Sequence, residues 1–321
     1  MIDLQHKIIE REKPDRIIFN AKVTYPLAWG IKNSTKVILV SPIPCMVHYV
    51  KNHSHVAFNE DFGLVINKLT YNLANFGFAQ TNLGTAKKYF KDLHLSRKQV
   101  KKALMSLNII YAISPAVFPR PDYWPPNALV LGYLERDKTT NWSPDAELAE
   151  FIVRHEKILL ITFGSMTNPK PLEKSKLFID ILEKHNIPAI FNISGGGFAE
   201  PSQYNNDLIK FVTSIPYDWI FPKVYGVIHH GGAGTTHSSL KYGCATMVIP
   251  HTADQPLWDN LVSELGAGPK GIAVRKLSRQ SLEPKILDLY NNQTYKTNAQ
   301  SISEKMQLED FKSALYDTIL K

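Results

Sequence analysis

Cysteine is scarce in this chain. Its two cysteines, Cys45 and Cys244, stand far apart beside apolar neighbours, which argues against a disulfide framework or a cysteine metal site and for buried thiols in a reducing compartment. Long apolar runs are missing as well: none approaches the ~18 residues of a membrane-spanning helix. The opening MIDLQHKIIEREKPDR has no signal-peptide core, so the expected location is cytoplasmic, with peripheral contact at the inner membrane face compatible with the charge. Two phosphate-binding fingerprints are also absent: no Gly-Lys-Ser/Thr closes a Walker loop, and no G-x-G-x-x-G follows the first strands. Nor does a recognised nucleic-acid motif accompany the net charge of +8 and pI near 9.2. The lysines read as spread along the chain, with modest clusters such as Lys98, Lys101 and Lys102. Nucleic acid is therefore not an expected partner, whereas an anionic ligand or acidic lipid is compatible.

What is present is a globular composition, 44% apolar and 21% charged, in a chain longer than one core usually holds. The proline-rich and then polar segment PRPDYWPPNALVLGYLERDKTTNWSP, residues 119–144, reads as a boundary between domains 1–135 and 136–321. In the first, helical pattern at the N-terminus gives way to strands at 16–19, 36–40 and 108–113, with a helix from Leu64 to Tyr89 whose stripe Leu69, Leu73, Phe76 is expected in the core. His48, His53 and His55 read as solvated loop residues. In the second, strands at 157–162, 188–193, 208–212, 225–228, 245–249 and 271–274 alternate with helices at 172–185, 256–265, 280–290 and 302–320. Such alternation predicts α/β architecture, a parallel sheet with helices on both faces. In such sheets ligands bind beyond the carboxyl ends of the strands, so the turns FGSM, SGGG, HHGGAGTT and HTADQ should converge.

The stretch Tyr225–Gln255 carries the most chemistry. An apolar strand ends in His229-His230, glycines turn the chain, and a helix starts near Thr235, so the backbone N–H groups and positive helix end face an anion. His229 can donate a hydrogen bond to a phosphate held there. Ser165 offers a hydroxyl and an N–H from the first turn, while Gly195–Gly197 reads as a flexible loop. Asp254 and Gln255 suit sugar hydroxyls, although Asp254 before Pro256 reads equally well as a helix N-cap.

Taken in order, Ser214-Ile-Pro-Tyr-Asp-Trp-Ile-Phe-Pro, His229-His-Gly-Gly-Ala-Gly-Thr-Thr, Gly243-Cys-Ala-Thr-Met-Val-Ile-Pro, Asp254-Gln-Pro and Glu264-Leu-Gly-Ala-Gly-Pro resemble the donor half of UDP-dependent glycosyltransferases of family 1, in the branch of sterol glucosyltransferases and bacterial natural-product glycosyltransferases. Weaker agreement reaches back through Phe163-Gly-Ser-Met to Trp124-Pro-Pro-Asn. The resemblance implies the GT-B fold, two Rossmann-like domains with the active site in the cleft, and inverting transfer of a hexose from a nucleotide sugar to an acceptor hydroxyl, lipid or sterol-like by the branch. The UDP-sugar is a co-substrate; no metal or other cofactor is implied. By the same carry-over, Ser165, His229, Gly232, Ala233, Gly234 and Thr235 would hold the diphosphate. Ser214, Ile215 and Tyr217 would face the nucleobase, and Asp254 and Gln255 the sugar. Two departures stand out. Ser214 and His237 occupy positions where the plant subfamily has its base-stacking Trp and ribose-binding Glu, which leaves the nucleotide open. By the resemblance the N-terminal domain is incomplete, starting roughly 90 residues late, an estimate compatible with domain sizes, and no residue matches the usual general base. The alternatives are a donor-binding subunit whose missing strands come from a partner chain, and a non-catalytic nucleotide-sugar binding protein.

Overall fold

The computed structural model describes residues 2–58, 60–135 and 142–320. The chain forms two compact units, residues 1–133 together with 310–321, and residues 134–309. The expected junction at 135/136 borders residues 136–141, which lie outside the described residues.

The first unit runs α1 (Ile2–Glu12), β1 (Arg16–Phe19), α2 (Tyr25–Asn33), β2 (Lys36–Ser41), α3 (Leu64–Tyr89), α4 (Arg97–Ser106), β3 (Asn108–Tyr111) and β4 (Ala128–Val130). Its four strands are parallel in the order β1-β2-β3-β4. Local signals explain the element starts: Pro26 opens the first turn of α2, where no N–H is missed, and Ser96 and Gln99 form a reciprocal capping box on α4. One cluster gathers Tyr25, Ala28 and Trp29 with Ala86 of α3 and Phe90 just after it. Another joins Ile38, Ile110 and Leu131 to Phe311, Leu315 and Ile319.

Those last three residues correct the expected helix 302–320 of the second domain. It is two helices, the second of which, Lys312–Leu320, returns to the first unit. Its apolar side covers the strands, and the Lys36 ammonium donates to the Thr318 carbonyl at 3.0 Å.

Two further expectations fail in this unit, and one cause serves both. Helix α3 faces inward with Asn67, Thr70, Tyr71, Asn82 and Thr85, because its polar side chains bind the loop before it. Thr70 Oγ1 accepts from the His55 N–H at 2.9 Å, and Asn67 Oδ1 from the Phe62 N–H at 3.0 Å. Leu69 and Leu73, expected in the core, are consequently 57% and 59% exposed. His48, His53 and His55, expected in solvent, are buried; His48 Nδ1 meets the Tyr111 hydroxyl at 2.8 Å and His55 Nε2 the Met46 carbonyl at 2.9 Å.

The second unit runs α5 (Ala146–Arg154), β5 (Leu159–Thr162), α6 (Pro171–Lys184), β6 (Ala189–Asn192), β7 (Ile209–Val212), α7 (Tyr217–Ile220), β8 (Gly226–His229), α8 (Ala233–Lys241), β9 (Ala245–Val248), α9 (Gln255–Glu264), α10 (Arg279–Asn291) and α11 (Gln293–Gln307); α12 (Lys312–Leu320) belongs to the first. Five parallel strands stand in the order β7-β6-β5-β8-β9. Alternate residues of β5 serve opposite faces: Leu159 and Ile161 join Phe178, Phe191 and Ile286, while Leu160 joins Ile190, Phe221 and Val227. Both faces are therefore buried, which accounts for the unbroken apolar strands. The strand expected at 271–274 is absent; Gly271 passes so close to β9 that a Cβ there would stand 1.6 Å from the Val248 carbonyl oxygen, and Val274 starts a 3₁₀ turn.

Candidate functional site

The order of the second sheet locates the site. After β5 the chain moves outward to β6 and β7, then returns to the other side of β5 as β8 and β9. This reversal is a topological switch point, where the loops beyond the strand ends diverge and leave a crevice. Thr162 and His229 are register partners, as are His229 and Val248. The three turns that follow, 163–166, 230–233 and 249–254, therefore leave the sheet side by side.

In the first, Gly164 adopts a left-handed conformation (φ 56°), its N–H donates to Thr162 Oγ1 at 3.2 Å, and Ser165 is left exposed. The Gly195–Gly197 turn, expected to be flexible, is clasped to it. A Cβ on Gly195 would stand 1.6 Å from the Gly164 carbonyl oxygen, and one on Gly197 2.7 Å from the Met166 oxygen. Only glycine permits that approach.

The second turn leads into α8. Its N-cap is Gly232, in an extended conformation and with no side chain of its own, so Ala233, Gly234 and Thr235 form the first turn at the positive end of the helix dipole. Tyr217 braces this turn: its hydroxyl is 3.0 Å from Thr162 Oγ1 and is also hydrogen-bonded by Thr235.

Two adjacent histidines precede the helix, and they do different things. His229 is fully buried, and its Nδ1 accepts the Gly231 N–H at 2.9 Å. The ring proton of the neutral form is then on Nε2, which is sealed from solvent without a protein partner. His230, which the sequence reading passed over, is the one whose ring fills the space between the two glycine turns. A Cβ on Gly164 would stand 2.7 Å from its Cε1, and a Cβ on Gly232 2.5 Å from its Nε2. Burial drives the His229 basicity well below the ordinary imidazole range, with His230 adding to the effect; burial, helped by His251, lowers His230 to about 4. Both rings are accordingly neutral near pH 7 and offer one N–H each. The only hint in the sequence was the doublet itself, since neighbouring strand residues point to opposite faces.

The third turn brings Asp254 and Gln255. The Asp254 carboxylate accepts the Trp258 indole N–H at 2.6 Å, and the Gln255 side-chain oxygen accepts from the His251 and Thr252 N–H groups at 2.6 and 3.0 Å. Asp254 occupies the N-cap position but makes no capping bond with its side chain, and Ala253 beside it is left-handed at φ 57°, a strain typical of functional loops.

Of the three residues expected at the nucleobase, Ser214 is exposed, whereas Ile215 is packed in the core and Tyr217 stacks on Phe221. Among the described residues, no group of three or more His, Cys, Asp or Glu side chains is arranged to hold a metal ion.

Comparison with known proteins agrees with this geometry. The family described as "Erythromycin biosynthesis protein CIII-like, C-terminal domain" matches residues 202–311. The sterol 3-beta-glucosyltransferase UGT80A2 of Arabidopsis thaliana is 33% identical over 200 residues, 62% of this chain and 31% of that protein. The chain thus spans about a third of the length of that relative. The solved glycotransferase of kitacinnamycin superposes with a TM-score of 0.73 at 15% identity, covering 99% of this chain and 79% of the other. The glycosyltransferase VinC, solved in complex with dTDP, gives 0.67 at 13% identity, with 99% and 74% covered.

Proposed function

The chain belongs with the GT-B glycosyltransferases of family 1, through its EryCIII-like C-terminal domain, and on that premise we propose that it transfers a hexose from a UDP-sugar to an acceptor hydroxyl, with inversion and without a metal. One observation carries this reading: the glycine-led start of α8 at the switch point, flanked by Ser165 and His230, with Asp254 on the next turn.

In this reading the α8 N–H groups of Gly232 to Thr235, the Ser165 hydroxyl and the neutral His230 ring hold the diphosphate, while His229 acts from within the strand end. The backbone around Ser214 faces the base. Asp254 and Gln255 hold the sugar, whose hydroxyls donate to the carboxylate. The acceptor oxygen attacks the anomeric carbon opposite the nucleotide. As that C–O bond forms, the bond to the diphosphate oxygen breaks and its electron pair leaves with the nucleoside diphosphate. The acceptor proton passes to a base to which no residue of this chain is assigned. Fixed N–H donors and the helix dipole stabilise the leaving charge, the role a divalent ion fills in other transferases.

An apolar alcohol, lipid or sterol-like, is the acceptor class suggested by the name of the Arabidopsis relative. UDP is preferred over dTDP by the resemblance of the donor half to UDP-dependent glycosyltransferases, and the VinC complex makes dTDP the comparison to run. Calorimetry with UDP, dTDP and UDP-glucose, followed by transfer of labelled sugar to a cell lipid extract, tests the proposal. No binding of either nucleotide would sink it.

A second reading, donor binding by a chain that needs a partner for transfer, is favoured by β1, an edge strand of the first sheet whose Ile18 is exposed. Sugar transfer by the isolated chain would dismiss it.

A further inference from the structure

The charge and the apolar surface of this protein are concentrated in the same unit. Residues 1–133 contain 17 Lys and Arg against eight Asp and Glu, whereas residues 134–309 contain 18 against 19. The positive excess is therefore a property of the first unit rather than of the whole chain, contrary to the even spread the sequence suggested. Its densest part, from Lys87 to Lys102, has seven basic residues and one acidic, Asp92, around the end of α3 and on α4, two helices that pack together; Lys88 is paired with Asp3 of α1, and Asp92 with Lys32.

The same unit carries an inverted helix. Because α3 spends its polar side on the loop beneath it, its outer side presents Leu64, Val65, Ile66, Leu69, Leu73 and Phe76, with Val65 74% exposed. A groove of about 580 Å³ runs along one flank, lined by Phe58 and Phe62 as well as α3, and a second along the other is closed by Tyr49 and Tyr123. Water-soluble surfaces rarely leave so many large apolar side chains contiguous. Basic groups fringe the strip: Lys51 and Lys68 line the second groove, and the Arg97 guanidinium stands over the Phe76 ring at 4.4 Å. The acidic residues on this side are Glu60 and Asp61, and Asp61 is occupied by the Gly63 N–H and the Asn67 amide.

We propose that the exposed face of α3, with the basic end of α3 and α4, docks on a lipid bilayer bearing anionic headgroups. An apolar strip inserts at the boundary between headgroups and acyl chains, while long basic side chains reach the phosphates. Both contributions are needed, since neither a few apolar residues nor a diffuse charge holds a protein at a membrane alone. The excess of basic over acidic residues beside the strip selects this occupant over an apolar protein partner, whose interface core would be depleted of charge. No helix among the described residues is long and apolar enough to cross a membrane, so the contact is peripheral. This inference does not depend on the proposed transferase activity.

Sedimentation of the full chain with sucrose-loaded vesicles tests it, using phosphatidylcholine alone and phosphatidylcholine with phosphatidylglycerol. Binding to the acidic vesicles is expected, weakening with salt, and at least tenfold less on neutral ones. Leu69→Ser with Leu73→Ser should cut it by roughly tenfold or more, and Lys101→Glu with Lys102→Glu by roughly fivefold or more per charge removed. All four positions lie on exposed helix surface or its edge, so circular dichroism should show both variants folded. Failure to bind acidic vesicles would overturn the proposal. So would binding that the apolar variant leaves unchanged, or apolar substitutions that dissolve a dimer in sedimentation velocity while vesicle binding persists, which would make the strip an interface between copies.

Discussion

The Trp258 indole N–H donates to Oδ2 of Asp254 at 2.6 Å, one helical turn away, and Trp258 itself is completely buried. The proposed sugar ligand is thus aimed by a core residue. Asp254→Ala should lower affinity for a UDP-sugar by about 1.5–3 kcal/mol, the usual loss for a hydrogen bond to a charged group, and leave affinity for UDP alone unchanged. Trp258→Phe, which removes only the aiming donor, should give a smaller loss in the same direction. Calorimetry with both ligands distinguishes the two; equal loss for UDP would remove Asp254 from the sugar site.

His230 gives a second test, aimed at the diphosphate. His230→Phe preserves a ring between Gly164 and Gly232 but removes its N–H, so UDP affinity should fall by roughly tenfold with little change in melting temperature. His230→Ala should reduce both, because the two turns lose the body that separates them. If His230→Phe binds UDP normally, the ring is a spacer and nothing more.

Stability should depend on pH in a defined window. His48, His230 and His237 are each lowered to about 4 from 6.5, with burial as the leading cause. Between those values the unfolded chain takes up protons that the folded chain refuses. Folding free energy is therefore intact above pH 6.5 and drains away as pH falls toward 4, at up to about 1.4 kcal/mol per pH unit for each ring. Urea unfolding across this range should show the loss, and His237→Gln should make it shallower. A midpoint independent of pH in that interval would refute the assignment.

Gly195 is, with Gly271, the most tightly confined glycine of the second unit. Gly195→Ala would drive a methyl group into the Gly164 carbonyl, displacing the turn that carries Ser165, at a cost of about 1–3 kcal/mol. Thermal melting reads the cost, and a parallel drop in UDP affinity would show that the first phosphate turn had moved with it.

Much of this was legible in the residues. Apolar runs ending in Gly or Ser turns gave the parallel strands and the convergence of the loops beyond them, because a strand buried on both faces leaves no alternation and must stop where the chain turns. Less was legible where periodicity defines a face but not its direction. The stripe of Leu69, Leu73 and Phe76 was real; what put it in water was the set of hydrogen bonds from Asn67 and Thr70 to the preceding loop, partners that spacing cannot reveal. The same limit hid His230. Consecutive residues at a strand end point different ways, and only the packed neighbours decide which one meets the glycine turns. Gly271 misled for a related reason: an apolar run beside β9 looks like a strand, yet its N–H is taken by the Asp259 carboxylate and not by β9.

Helix α12 has a consequence for how the chain is made. Its residues Phe311, Leu315 and Ile319 complete a core begun by Ile38 and Ile110, so everything between, the entire donor unit, is an insertion within the first unit. During synthesis the inserted unit can gather all of its own strands while the earlier one still waits for its last partner. Emergence of residues 310–320 then completes the first unit after the inserted one, an order of assembly that places its slowest loop closure late.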